Sequence, residues 1–320
     1  MESYFANVQY VKRKEDIPIK HEIIRHAPEN IFKWYVKKFN PYLMEKAYIG
    51  DCQGYNISLP IIETEKYENQ ELILRTLENL YDDGVRVLNF NDDFEFIEEF
   101  DFFRPKGDLA FTLLLKEVFM KAVRYTGIEL KYADVCIIGD DNFYTEKALG
   151  AIYPEVNYLT LILPKEIHHL FSQKVEAIFS DTGLYIQILE KGDISSADII
   201  INTSEDRSFD YGYKRGLLYI EPPINAKRFS GLISKREDIF AVNKCTVSFQ
   251  DCVIDLCSLE AYLYLKEPLF RRLVKGYGAL SERRGEFHID LRGAGVKYLY
   301  RNNTEISKFN LKKYLIKAGR

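Results

Sequence analysis

The chain has 320 residues, 47% of them hydrophobic and 29% charged, with a formal net charge of −4. That is the composition of a soluble globular protein with room for two domains, each burying its own core. It supplies no basic field for a polyanion, so nucleic acid is excluded as a first partner, and no apolar run nears the roughly 20 residues that cross a bilayer.

Finer features agree. Lys12, Arg13 and Lys14, and Arg271 with Arg272, form short, separated basic clusters that read as solvated faces. The N-terminal stretch lacks the apolar core of a signal peptide. Five cysteines, an odd number in a chain this long, point to reduced thiols and a cytoplasmic location.

Along the chain, residues 30–38 carry Ile31, Trp34, Tyr35 and Val36 at helical spacing. Short strands are predicted at 46–49 and 55–59, on either side of a turn from Gly50 to Gly54. A helix follows over 71–80, with Leu72, Leu77 and Leu80 on one face; Gly84 ends it and 85–90 returns to strand. Residues 91–103 interleave Asp92, Asp93, Glu95, Glu98, Glu99 and Asp101 with five phenylalanines. A hard cation needs carboxylates converging from a shaped loop. Without such spacing, the segment reads as a connector that buries rings and exposes acids.

From residue 106 the pattern becomes regular. A helix is predicted over 109–125, N-capped by Asp108 and ended by Gly127. Near-continuous apolar runs then recur at 134–139, 158–163, 184–189, 197–202 and 216–220, with helices predicted at 145–152 and 165–180. Such runs belong to strands covered on both faces, and strand–helix alternation implies a parallel sheet with right-handed crossovers. The expected fold class is α/β: a Rossmann-like parallel sheet with a smaller N-terminal α/β domain. The expected domains are 1–105, an N-terminal substrate-type domain; 106–245, Rossmann-like; and 246–320, a C-terminal helical segment packing back on the N-terminal half. In that last part come a short strand near 239–242, a helical run over 258–280 broken at Pro268, a turn at Gly293–Ala294–Gly295 and a lysine-rich helix over 305–317.

Ligands of such sheets gather beyond the carboxyl ends of the strands, where the strand order reverses. The first strand ends in Gly139–Asp140–Asp141–Asn142–Phe143–Tyr144, where a dinucleotide site has G-x-G-x-x-G. Gly139 is retained, Asp141 replaces the glycine that lets phosphate approach, and Tyr144 replaces the glycine that lets helix and strand pack closely. Two like charges about 4 Å apart near a surface repel by roughly 4 kcal/mol, against about 1 kcal/mol returned by a helix N-terminus. Standard pyrophosphate binding is therefore disfavoured, while Asn142 and Thr145 remain as donors. Beyond the second strand, Lys165 either meets a 2′-phosphate or begins a helix. Beyond the fourth, Asn202, Thr203 and Ser204 form a polar turn that lines a nicotinamide end or serves as an ordinary loop.

The sequence ADIIINTS at 197–204, preceded by a small N-terminal domain and a bridging helix, resembles oxidoreductases of the shikimate dehydrogenase and glutamyl-tRNA reductase type. Residues 107–139 and, more faintly, 239–252 (IFAVNKCTVSFQDC) are similar to cyanobacterial acyl-carrier-protein reductases. The resemblance covers roughly 120 residues. It implies an NAD(P) cofactor and, from the reductases, a nucleophilic cysteine at Cys252, with Cys245 as the alternative. It also departs from the family: no lysine–aspartate pair of the shikimate dehydrogenase kind can be placed.

The spacing C-x6-C-x4-C of Cys245, Cys252 and Cys257 does not match a structural zinc site, and no metal is expected. His168 and His169 are adjacent in a predicted helix, so they face different ways; His21 and His26 also share no helical face. Two functions stand open: an NAD(P)-dependent oxidoreductase-like protein with an altered phosphate loop, and a non-catalytic scaffold of the same fold. The expected partners are a small-molecule ligand or a protein, with a homo-oligomer in view and neither nucleic acid nor membrane.

Overall fold

The computed structural model describes residues 3–19, 22–140, 143–190, 194–205, 212–276, 289, 291 and 293–307. Two compact units divide the chain: Met1–Pro105 with Glu260–Arg271, and Lys106–Leu259 with Arg272–Arg320.

The first unit contains β1 (Tyr4–Val11), α1 (Glu22–Arg25), α2 (Glu29–Phe39), β2 (Leu43–Ile49), β3 (Cys52–Ile62), α3 (Gln70–Asp82) and β4 (Val85–Asn89). Its sheet runs β2-β3-β1-β4, with β1 parallel to β3 and β4, and β2 antiparallel to β3. The hairpin of β2 and β3 is tighter than its sequence implies, because Ile49 pairs directly with Cys52 and leaves only Gly50 and Asp51 to turn. Leu72, Ile73, Leu77 and Leu80 of α3 bury against Ala6 and Val8 of β1 and Ile57, Leu59 and Ile61 of β3. The acidic–aromatic segment feeds the same core: Phe94 and Ile97 are buried, Phe96, Phe100 and Phe102 pack against it, and Asp93, Glu95, Glu98 and Glu99 stay exposed.

The second unit begins with α4 (Asp108–Leu113) and α5 (Leu115–Thr126). The single helix expected here breaks at Leu114, whose φ of −95° and ψ of 7° leave the helical region; Gly107 rather than Asp108 stands at the N-cap. Then come β5 (Asp134–Ile138), α6 (Phe143–Ile152), β6 (Tyr158–Ile162), α7 (His168–Thr182), β7 (Ile186–Leu189), β8 (Ile199–Asn202), β9 (Leu218–Ile220), α8 (Ala226–Lys235) and β10 (Phe240–Val242). All six strands are parallel, in the order β7-β6-β5-β8-β9-β10. Numbered from β5, that order is 3-2-1-4-5-6, the doubly wound Rossmann arrangement, with its reversal between β5 and β8. The short strand near 239–242 is thus a sixth member of the parallel sheet. The architecture is α/β: a Rossmann-like parallel sheet in one unit and a smaller N-terminal α/β unit.

Beyond β10, β11 (Lys244–Phe249), β12 (Cys252–Asp255), β13 (Gly295–Arg301) and β14 (Thr304–Glu305) form an antiparallel sheet in the order β12-β11-β13-β14. The C-terminal segment is therefore not purely helical: α9 (Leu256–Lys266) and α10 (Pro268–Lys275) lie between β12 and β13, and Gly295 opens a strand. The predicted terminal helix falls largely outside the described residues. Among the described residues no helix is long and apolar enough to cross a membrane.

In the first unit's sheet, Gly54 of β3 lies opposite Phe5 of β1, and a side-chain carbon there would run into the Phe5 ring and carbonyl. A backbone carbonyl cannot rotate aside, so Gly54→Ala is expected to destabilise the protein by about 1–3 kcal/mol in urea unfolding, the usual cost of overpacking. An unchanged midpoint would contradict that contact.

Candidate functional site

The carboxyl ends of β5 and β8 meet at the reversal point, and a chain of hydroxyl groups ties them together. The Asp140 N–H donates to Thr145 Oγ1 (3.0 Å), and Thr145 Oγ1 lies 2.9 Å from Thr203 Oγ1. Thr203 Oγ1 donates to the Ile138 carbonyl (3.0 Å), which also receives the Thr203 N–H (2.8 Å). A hydroxyl has one proton to give, so Thr145 is the donor to Thr203 and the chain runs in one direction. Thr145 and Thr203 are both fully buried.

This arrangement explains Gly139. A Cβ there would collide with the Thr145 side chain. The retained glycine therefore serves close packing of α6 on β5, and Thr145 fills the space above it. Tyr144 does not hold the helix away as its size suggests: it is buried, with its hydroxyl donating to Asp108 at the start of α4. The Asp140 carboxylate accepts the Glu205 N–H across the reversal point (3.1 Å). Asp141 and Asn142 lie outside the described residues.

Asn202 and Ser204 are buried as well, and their polar atoms face inward. Asn202 Oδ1 accepts the Ser204 N–H (3.1 Å), while its Nδ2 donates to Tyr219 Oη (2.9 Å). Tyr219 donates to Glu221 Oε2 (2.6 Å), and Glu221 Oε1 receives Arg228 Nη2 (2.9 Å) and Nε (3.2 Å). Arg228 stands in the first turn of α8, where Asn225 caps the helix by accepting the Arg228 N–H (3.0 Å). Asn225 Nδ2 also donates to the Glu205 carbonyl (3.1 Å), closing the line of contacts back to Asp140. Burial pushes the Glu221 carboxyl above its ordinary pKa, and Arg228 and the Tyr219 hydroxyl pull it back. Burial with the adjacent carboxylate holds Tyr219 well above its ordinary value.

The other predicted residues do not join this cluster. Lys165 is exposed in a turn beyond β6, where His168 Nε2 contacts the Leu163 carbonyl (3.1 Å). Cys252 and Cys245 belong to the antiparallel sheet: Cys252 is exposed beside the β11–β12 turn, and Cys245 is buried with its thiol pushed up to about 12. A thiol that stays protonated is no nucleophile, which counts against Cys245; of these two only Cys252 is exposed to solvent. Among the described residues no group of three or more His, Cys, Asp or Glu side chains could hold a metal ion.

The sequence reading missed two constellations in the first unit. Asn7 of β1 sits between Asn56 of β3 and Asn89 of β4, and the three carboxamides are hydrogen-bonded (2.9 and 3.3 Å). Gln9 and Ser58 continue the row one step along (3.3 Å). Polar residues at every second position of apolar strands were the available signal. The second constellation is Lys66 paired with Asp92, which also accepts the Tyr10 hydroxyl. Asp92 raises the Lys66 pKa, so the ammonium holds its proton and stays paired with that carboxylate at neutral pH.

No family model matches the sequence, and no curated protein sequence does. Among solved structures the chain is similar to shikimate 5-dehydrogenase from Listeria monocytogenes in complex with shikimate and NAD, at 11% identity over 98% of this chain and 96% of that one, TM-score 0.33. It is similar to L-tryptophan dehydrogenase from Nostoc punctiforme at 10% identity over 87% and 81%, TM-score 0.34. A third is Δ1-pyrroline-2-carboxylate reductase from Thermococcus litoralis in complex with NADH and L-proline, at 14% identity and TM-score 0.27; this match spans 35% of the present chain and only 36% of that protein's length. The fold assignment rests on the strand order of the parallel sheet, not on these likenesses.

Replacing Arg228 by Met leaves Glu221 buried without its cation, at an expected cost of about 3–5 kcal/mol at pH 7.5. The folded-state carboxyl, already raised, then rises further above its unfolded value. A raised group binds its proton more tightly when folded, so the deficit is largest near neutral pH and shrinks as pH falls toward 5. Urea unfolding at the two pH values checks this; a deficit that grows on acidification would contradict it.

Proposed function

We propose that this chain is an NAD(P)-linked, oxidoreductase-like Rossmann protein with an altered phosphate loop. The observation that carries the reading is the 3-2-1-4-5-6 strand order, which sets Gly139 and Thr203 on the two sides of the crevice where such sheets take nucleotides. The adenosine side fits: Lys165 stands exposed at the β6 end, where a cation suits a 2′-phosphate. The usual pyrophosphate position does not fit, because the Asp140 carboxylate lies at that loop and Thr145 fills the space above Gly139. A dinucleotide would keep its phosphates away from Asp140 and depend on the β6 end for affinity. Within the first unit, the carboxamide row of Asn7, Asn56 and Asn89 suits a small polar ligand; within the second, Cys252 is the candidate nucleophile.

One observation favours a second reading, a non-catalytic scaffold that has given up dinucleotide binding. Thr145, Asn202, Thr203 and the Ser204 N–H are engaged with one another or with neighbouring backbone and side chains, as in a site closed on itself.

Calorimetric titration with NADH and NADPH separates the two. The oxidoreductase reading expects submillimolar NADPH binding, weakened about tenfold more than NADH binding by Lys165→Glu, and tightened by Asp140→Asn. No binding of either nucleotide to the wild type or to Asp140→Asn would leave the scaffold reading standing.

A further inference from the structure

The amino edge of the parallel sheet, opposite the reversal-point crevice, holds a cavity of its own. The turn before β9 meets the turn between α8 and β10 there, and the Gly216 N–H joins them by donating to the Asp238 carbonyl (2.9 Å). The open cavity between them has a volume of about 610 Å³ and is lined by Tyr213, Arg215, Lys235, Arg236, Glu237 and Asp238. That is the size of a small-molecule site. Its charges are unevenly matched. Arg236 Nε and Nη2 grip the two oxygens of Asp238 (2.7 and 2.8 Å), and Nη2 also donates to the Tyr213 carbonyl (2.8 Å). This pairing holds the Asp238 carboxyl below its ordinary pKa, and Arg215 adds to the effect without a hydrogen bond. Glu237 has an interaction of its own. Both acids are thus engaged, whereas Arg236 Nη1, the Arg215 guanidinium and the Lys235 ammonium make no hydrogen bond or ion pair among the described residues. The C-terminal end of α8 also lies here, and its partial negative charge would oppose an anion. Arg301 offsets it: the buried guanidinium donates to the Ile233 and Arg236 carbonyls (3.1 and 3.2 Å).

We propose that this cavity binds a small phosphate monoester, whose terminal oxygens are held by Arg236 Nη1, Arg215 and Lys235. An arginine fixed along one edge by a carboxylate presents its remaining N–H groups in a set direction, which suits the oxygens of a phosphate. Three cationic side chains line the cavity, and a phosphate monoester has three terminal oxygens where a carboxylate has two. The volume exceeds what a free phosphate ion fills, leaving room for the esterified part of the molecule beside Tyr213.

The test is isothermal titration of the full chain, at low ionic strength, with glycerol phosphate and with inorganic phosphate. Glycerol phosphate is expected to bind with a submillimolar dissociation constant, tighter than inorganic phosphate, and Arg215→Ala with Lys235→Ala should weaken it at least about tenfold. Both side chains are exposed, so the double variant should keep the urea midpoint of the wild type; if it does not, Lys235→Ala alone decides. Asp140→Asn, at the other edge of the sheet, should leave the affinity unchanged. No binding of glycerol phosphate would overturn the proposal, as would a double variant that binds like the wild type. Equal affinity for inorganic phosphate would overturn the monoester assignment, and tightening by Asp140→Asn would move the binding to the reversal-point crevice and overturn the site.

Discussion

Two threonine hydroxyls, 58 residues apart in sequence, meet at the centre of the parallel sheet, and the candidate crevice depends on that contact. Thr145 is the third residue of α6, and Thr203 follows the last residue of β8; their bond joins the strands at which the sheet reverses. Gly139 must lack a side chain because Thr145 lies on it, and the Asp140 backbone is held because its N–H ends on the same hydroxyl. Once Asp140 is held, its carboxylate reaches the Glu205 N–H and the two strand ends are clasped twice. The space directly over Gly139 is thus taken by the Thr145 side chain.

The same logic extends along the carboxyl edge. Glu221 is an acid with almost no access to water, a costly placement unless its partners are well aligned. Arg228 with two nitrogens and Tyr219 with its hydroxyl satisfy both carboxylate oxygens, and Asn202 is fixed by the far side of Tyr219. The strand ends therefore form a preorganised surface whose shape is set before any ligand arrives. The first unit offers a contrast. Its carboxamide row is neutral and only partly buried.

The parallel sheet was legible in the sequence because strands covered on both faces must be apolar at every position, as at Val135–Ile138 and Ile199–Ile201. Phe240–Val242 was harder: three residues show no periodicity, and only pairing with β9 makes them a strand of that sheet. The helix break at Leu114 left no mark, since Leu113, Leu114 and Leu115 are all strong helix formers. At the site, residue type revealed that Thr145, Asn202 and Thr203 carry donors. It could not reveal that those donors are already engaged, because the groups they donate to lie 17 to 65 residues away. Lys66 and Asp92 stayed hidden for the same reason, 26 residues apart and joined only when β3 and β4 fall on either side of β1.

The clasp at the reversal point is tested most directly by a double-mutant cycle on Thr145→Val and Thr203→Val, read by urea unfolding. Side chains that share a buried hydrogen bond should show a coupling energy of about 0.5–1.5 kcal/mol. Additive losses, with no coupling between the two sites, would mean that the hydroxyls do not hold β5 to β8 and that the crevice is shaped by something else.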